Sequence, residues 1–185
     1  MSVVSIVVAL ILLGMIYSMN ASVIRNANAV REALSGIDVQ LKKRYDLIPN
    51  VLTIAKRFME HETELFEKIV ALRSQAINSK SGSKEKFETE AQLDTQLKSL
   101  MVNVENYPQL KSDETMLQAM RTYNEVEENI SAARRFYNSA LTQLKNSIQI
   151  FPSSMFAGCA GDAANFSYFE TDAASKVPID ASKYL

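Results

Sequence analysis

Few side chains in this sequence are equipped for chemistry. Its one histidine, His61, stands among Glu60, Glu62 and Glu64, and its one cysteine is Cys159. Imidazole takes up and releases a proton near neutral pH, so a histidine among carboxylates is a general-base candidate. One Cys and one His supply too few ligands for zinc. A ferritin-like two-metal centre needs Glu-x-x-His on two helices, and neither copy is present. There is no Walker A loop, no G-x-S-x-G turn and no G-x-G-x-x-G run. His61 therefore reads as a helix-surface residue. The expectation is of no catalytic, cofactor-binding or metal-ligating residue, no bound cofactor and no enzymatic activity.

A different set of polar residues matters for structure. Arg44 and Glu62 interrupt one long apolar seam, and Glu127 and Arg134 interrupt another. An unpaired buried charge costs several kcal/mol, so such residues must pair or reach water. These four are read as structural ion-pair residues that set helix register, with Glu62 expected opposite Arg134. Tyr45, Tyr123 and Tyr137, also at helical spacing, read as core or half-buried packing.

The elements that carry these residues are helices. The first seam runs Val30, Leu34, Ile37, Leu41, Arg44, Ile48, Val51, Ala55, Phe58, Glu62, Leu65, Ile69, Leu72 and Ala76. Steps of three and four alternate throughout, which is the coiled-coil-like pattern of a helix packed on helices. Pro49 removes a backbone bond there. It could end one helix, with Asp46 capping the next, but the seam keeps its phase. One long helix over 25–78, kinked at Pro49, is the favoured reading.

Residues 78–84 (NSKSGSK) compose a turn. A second helix is expected over 85–105, carrying Phe87, Leu93, Leu97, Leu100, Met101 and Val104. Pro108 biases Tyr107 out of helix. A third helix is expected over 113–151, with Asp113 and Glu114 in its first turn, where the helix dipole favours acid. Its seam is Met116, Met120, Tyr123, Glu127, Ile130, Arg134, Tyr137, Leu141, Leu144, Ile148 and Phe151. An extended 105–112 linker lets this helix cover its last apolar residues and sets Glu62 level with Arg134. The tail, 153–185, reads as irregular, its aromatics packing back on the bundle or meeting lipid or a second subunit.

Ahead of these helices lies an uncharged stretch, Ser2–Ile24. Its apolar residues are Val3, Val4, Ile6, Val7, Val8, Leu10, Ile11, Leu12, Leu13, Met15 and Ile16. About 20 such residues at ~1.5 Å each cross the ~30 Å hydrocarbon layer of a bilayer. Asn20-Ala21-Ser22 makes a poor signal-cleavage site, so a retained single transmembrane anchor over 1–24 is expected rather than a signal peptide. Arg25, Arg31, Lys42, Lys43 and Arg44 follow the span, which places the N-terminus outside and the bundle, 25–152, in the cytoplasm. Membrane lipid is thus an expected partner. With 20 basic against 21 acidic residues, net charge is −1, and no broad basic field exists for nucleic acid.

Ser35-Gly36-Ile37-Asp38-Val39-Gln40-Leu41-Lys42-Lys43-Arg44-Tyr45-Asp46-Leu47-Ile48-Pro49-Asn50 closely resembles the LemA family. His61-Glu62, Glu105-Asn106-Tyr107-Pro108, Leu110-Lys111, Ala133-Arg134-Arg135, Tyr137-Asn138, Phe151-Pro152 and Tyr168-Phe169 extend the resemblance in order along nearly the whole chain. Departures are Leu34, where the family commonly has an aromatic, the lack of tryptophan and the residues after Gly158. The resemblance implies a single-pass bacterial inner-membrane protein with an all-α antiparallel bundle of three to four long helices, and brings no established catalytic activity. The leading functional expectation is a non-enzymatic membrane-anchored scaffold that assembles with itself, as a homo-oligomer, or with a membrane-protein partner. The alternative is an adaptor for a membrane protease or other envelope-stress enzyme.

Overall fold

The computed structural model describes residues 3–169, and among these the chain is helical without a strand. The elements are α1 (Val3–Ala55), α2 (Thr63–Asn78), α3 (Lys84–Val104), α4 (Pro108–Lys111) and α5 (Glu114–Gln149), followed by a 3-10 helix, Ser153–Asn165. Residues 170–185, the greater part of the expected tail, lie outside the described residues.

α1 keeps its helical course through Pro49, as the seam phase predicts. It does not continue to residue 78. The helix ends at Ala55, where Phe58 and Met59 both turn their N–H groups back to the Ala55 carbonyl, and Glu62 N–H reaches Met59 O. Met59 is fully buried and plugs the turn. Residues 56–62 carry neither Gly nor Pro, and the turn preserves the three-four spacing of the flanking helices, so the apolar pattern runs through it unbroken. α2 then runs back along the end of α1, for Arg73 Nε donates to the Tyr45 carbonyl at 2.8 Å.

The turn at 79–83 falls where composition placed it. Gly82 adopts φ +75°, a left-handed value that glycine reaches without steric cost. The Ser83 hydroxyl then caps α3 by accepting from Lys86 N–H at 3.2 Å. The 105–112 linker is not extended: four of its residues form α4, with Pro108 in the first turn, where a missing N–H is harmless. Asp113 Oδ1 accepts from Met116 N–H at 2.8 Å and so starts α5.

The described chain forms two compact units. One comprises the described residues up to Lys42 together with Glu127–Ser167, and the other Lys43–Val126 together with Tyr168 and Phe169. In the first, Val23, Ala27, Val30, Ile37 and Leu41 of α1 are buried, as are Ile130, Tyr137, Leu141 and Leu144 of α5. In the second, Ile48, Val51, Ala55, Ile69, Ala76, Leu93, Leu97, Leu100 and Val104 make the core. Burying a Val, Leu or Ile side chain is worth roughly 1.5–3 kcal/mol, so these seams are the main source of cohesion.

The most apolar part of α1 is different in kind. Its best 18-residue window has a mean hydropathy of 2.2 and is not buried at all. Val3 to Tyr17 stand exposed, and burial begins at Val23 within the same unbroken helix. Among the described residues α1 is the one helix long and apolar enough to cross a membrane.

Candidate functional site

Three polar constellations stand out, and the first lies in the core of the second unit. Arg44 and Glu90 are both fully inaccessible to solvent, and Tyr45 is nearly so. One carboxylate oxygen of Glu90 accepts from Arg44 Nη2, and the other accepts from the Tyr45 hydroxyl. Consecutive residues of α1 thus clamp one carboxylate on α3. A charge-assisted hydrogen bond of this kind is worth about twice a neutral one, and the low surrounding polarity strengthens it.

The α1 seam places Arg44 at a core position, and the structure adds its partner, Glu90. The signal was available. Glu90 falls three residues after Phe87 and three before Leu93, squarely on the apolar face of α3. Tyr45, Tyr123 and Tyr137 are all buried, as their spacing suggests. The continuous first helix and the extended linker on which the Glu62–Arg134 expectation rests are both absent. Glu62 sits in the cap position before α2, where its carboxylate accepts from Asn103 Nδ2 at 3.5 Å, and Arg134 and Glu127 belong to the first compact unit.

The second constellation is a cleft of about 460 Å³ where the α1–α2 turn meets the α3–α4 turn. Arg57, Phe58, Glu60 and His61 line one side, and Asn106, Tyr107, Pro108 and Gln109 the other. His61 is exposed in the turn rather than on a helix face. The cleft offers a cation, a carboxylate, an imidazole, two amides and two aromatic rings, a set suited to holding a peptide segment. Among the described residues no group of three or more His, Cys, Asp or Glu is arranged to hold a metal ion.

The third constellation ties the 3-10 helix to α1 in the first unit. Arg31 Nη2 donates to Asp162 Oδ1 at 2.7 Å and to the Ala160 carbonyl at 3.0 Å, and Nε reaches the same carboxylate oxygen at 3.1 Å. The Arg31 hydrogen bond holds the Asp162 carboxyl below its ordinary pKa of 3.8. Gly161 makes this possible. It adopts φ +62° and ψ −137°, and a Cβ there would stand 3.2 Å from Arg31 Nη2. So the tail is regular and docked over 153–165, not irregular. Further on, Ser167 O accepts from the Tyr137 hydroxyl at 2.8 Å, and in the second unit Phe169 stacks on Phe87 with ring centroids 4.3 Å apart.

These contacts assign work to the short motifs noted in the sequence. Arg44-Tyr45 grips α3, His61 and Asn106-Tyr107-Pro108 meet across one cleft, Tyr137 holds the tail at Ser167, and Phe169 closes on Phe87. Comparison with known proteins decides what they have in common: the model of the LemA family matches residues 33–180. The chain belongs to the LemA family. It is also similar to Protein LemA of Metamycoplasma hominis, with 26% identity over 159 residues, covering 86% of this chain and 72% of that protein. The family match begins ten residues after the first buried residue of α1. It therefore takes in the helical body and leaves the exposed apolar stretch outside it.

Proposed function

We propose that this LemA-family chain is a single-pass, membrane-anchored helical scaffold, non-enzymatic, with its body in the cytoplasm at the inner face of a bacterial membrane. The observation that carries this reading is the course of α1. It passes from exposed apolar residues, Val3–Tyr17, into buried ones from Val23 without leaving helical geometry. A body joined to its span by continuous helix holds a set distance and angle from the lipid, which suits a structural part. Arg25, Arg31, Lys42, Lys43 and Arg44 after the span support the cytoplasmic orientation.

Homo-oligomers or a membrane-protein partner follow from the same reading, because confinement to one bilayer raises effective concentration. The space beside Gly14 is open, so a second helix could approach the backbone closely there. Mass measurement and crosslinking after mild detergent extraction test the proposal. Multimers, or a complex with a second membrane protein, are expected. A clean monomer that crosslinks to nothing would refute it.

The cleft around His61 and Tyr107 favours one second reading, an adaptor that binds a membrane protease or other envelope-stress enzyme. That reading expects a one-to-one complex lost on Tyr107→Ala, with self-association unaffected.

A further inference from the structure

Phe151 closes the α5 seam at helical spacing, yet it is 77% exposed. Ile150 before it is 60% exposed and Met155 after it 75% exposed. Three large apolar side chains within six residues, at the junction of α5 and the 3-10 helix, are therefore exposed. Scattered exposed apolar residues are ordinary, but a cluster of them marks a contact surface.

Its position in the first unit says what covers it. Asp162 is bound by Arg31 of α1, and three residues earlier Cys159 Sγ lies 3.8 Å from Asn20 Nδ2. Gly161 kinks the segment between these two contacts, and the turns before the kink are held beside Asn20, three residues after Tyr17 of the exposed apolar stretch. Met155 is four residues from Cys159, about 8 Å along 3-10 turns. The junction consequently stands near Asn20, at the foot of the span. Arg25, exposed two residues after the first buried residue of α1, adds a cation at the height of lipid phosphates.

We propose that Ile150, Phe151 and Met155 lie in the lipid interface as a second membrane contact of the same protein. This rests on the reading of α1 as a membrane span. An apolar foot flush with the span would fix the tilt of the first unit against the bilayer, in the manner of an interfacial segment whose apolar face sinks among the headgroups. Continuity with the span selects lipid rather than a second protein copy as the occupant.

The sequence contains no tryptophan, so single-tryptophan variants report one position each. Phe151→Trp, Phe136→Trp and Ile11→Trp are prepared in the full chain and reconstituted into phospholipid vesicles with brominated acyl chains. Phe136 serves as an exposed reference on α5, at 62% exposure. Strong quenching is expected for Phe151→Trp and Ile11→Trp, several-fold above that of Phe136→Trp. The inference is overturned if Phe151→Trp is quenched no more than Phe136→Trp while Ile11→Trp is quenched, an outcome that leaves the anchor standing. Blue-shifted but unquenched emission from Phe151→Trp would also overturn it, showing that a second protein copy covers the site. An unquenched Ile11→Trp would remove the span itself and the inference with it.

Discussion

Replacing Glu90 by leucine is the sharpest perturbation of the fold. Glu90 and Arg44 are both wholly buried, so the substitution removes the carboxylate that faces the guanidinium in the core. Removing one partner of such a pair costs about 3–5 kcal/mol, and the Tyr45 hydroxyl loses its acceptor as well, a further 1–3 kcal/mol. Domains are stable by only about 5–15 kcal/mol, so Glu90→Leu should consume a third or more of the total. Tyr45→Phe alone removes one charge-assisted hydrogen bond and should cost about 1.5–3 kcal/mol. The decisive variant is the triple, Arg44→Met/Tyr45→Phe/Glu90→Leu. Replacing a buried ion pair by apolar groups of similar volume is often neutral or stabilising, so the triple should return to within about 2 kcal/mol of the parent. Guanidinium unfolding of the full chain in detergent, followed by far-UV circular dichroism, measures all three. A Glu90→Leu cost under about 1 kcal/mol, or a triple variant no better than the single, would refute the clamp.

Other parts of the structure give further expectations. The Asp162 carboxyl titrates lower in the folded chain than its ordinary 3.8, so tail docking is fully supported above that pH and weakens as pH falls through the folded value. Amide exchange over 153–165 should therefore quicken relative to α5 below about pH 4, and Asp162→Asn should show the loosened behaviour already at neutral pH. Gly161→Ala forces a side chain into a backbone region essentially reserved for glycine and should cost roughly 1–3 kcal/mol of tail docking, read by the same exchange measurement. Asp113→Ala removes the acceptor for Met116 N–H and should lower stability by about 1 kcal/mol in the unfolding assay.

How much of this was legible in the sequence depends on what each feature rests on. Helical seams report burial directly, and Val30, Ile37, Leu41, Arg44, Ile48 and Val51 are all buried as their spacing implied. The turn at Gly82 was legible because its chemistry is local. The reversal at 56–62 was not, since it carries no turn residue and is held by backbone bonds around a buried Met59. A period shared by two helices says nothing of whether the chain turns between them. Phe151 shows the same limit from the other side: helical spacing placed it in the seam, but its neighbours leave it outside. Glu90 could have been found by asking which ionic residue on α3 shares a face with Phe87 and Leu93. The cleft around His61 could not, because its two walls come from turns more than forty residues apart.

In the proposed reading, one helix leaves a bilayer and enters a protein core without interruption. The direct measurement is an accessibility scan along α1, with single spin labels from residue 8 to residue 34 in a Cys159→Ser background, in lipid vesicles. Oxygen collisions should dominate over those of a water-soluble nickel chelate up to about residue 20, the usual length of a span. Beyond it, accessibility should oscillate at the helical period, with Val23, Ala27 and Val30 shielded from both reagents. Chelate access throughout residues 8–17, or loss of the helical period between 17 and 27, would contradict it.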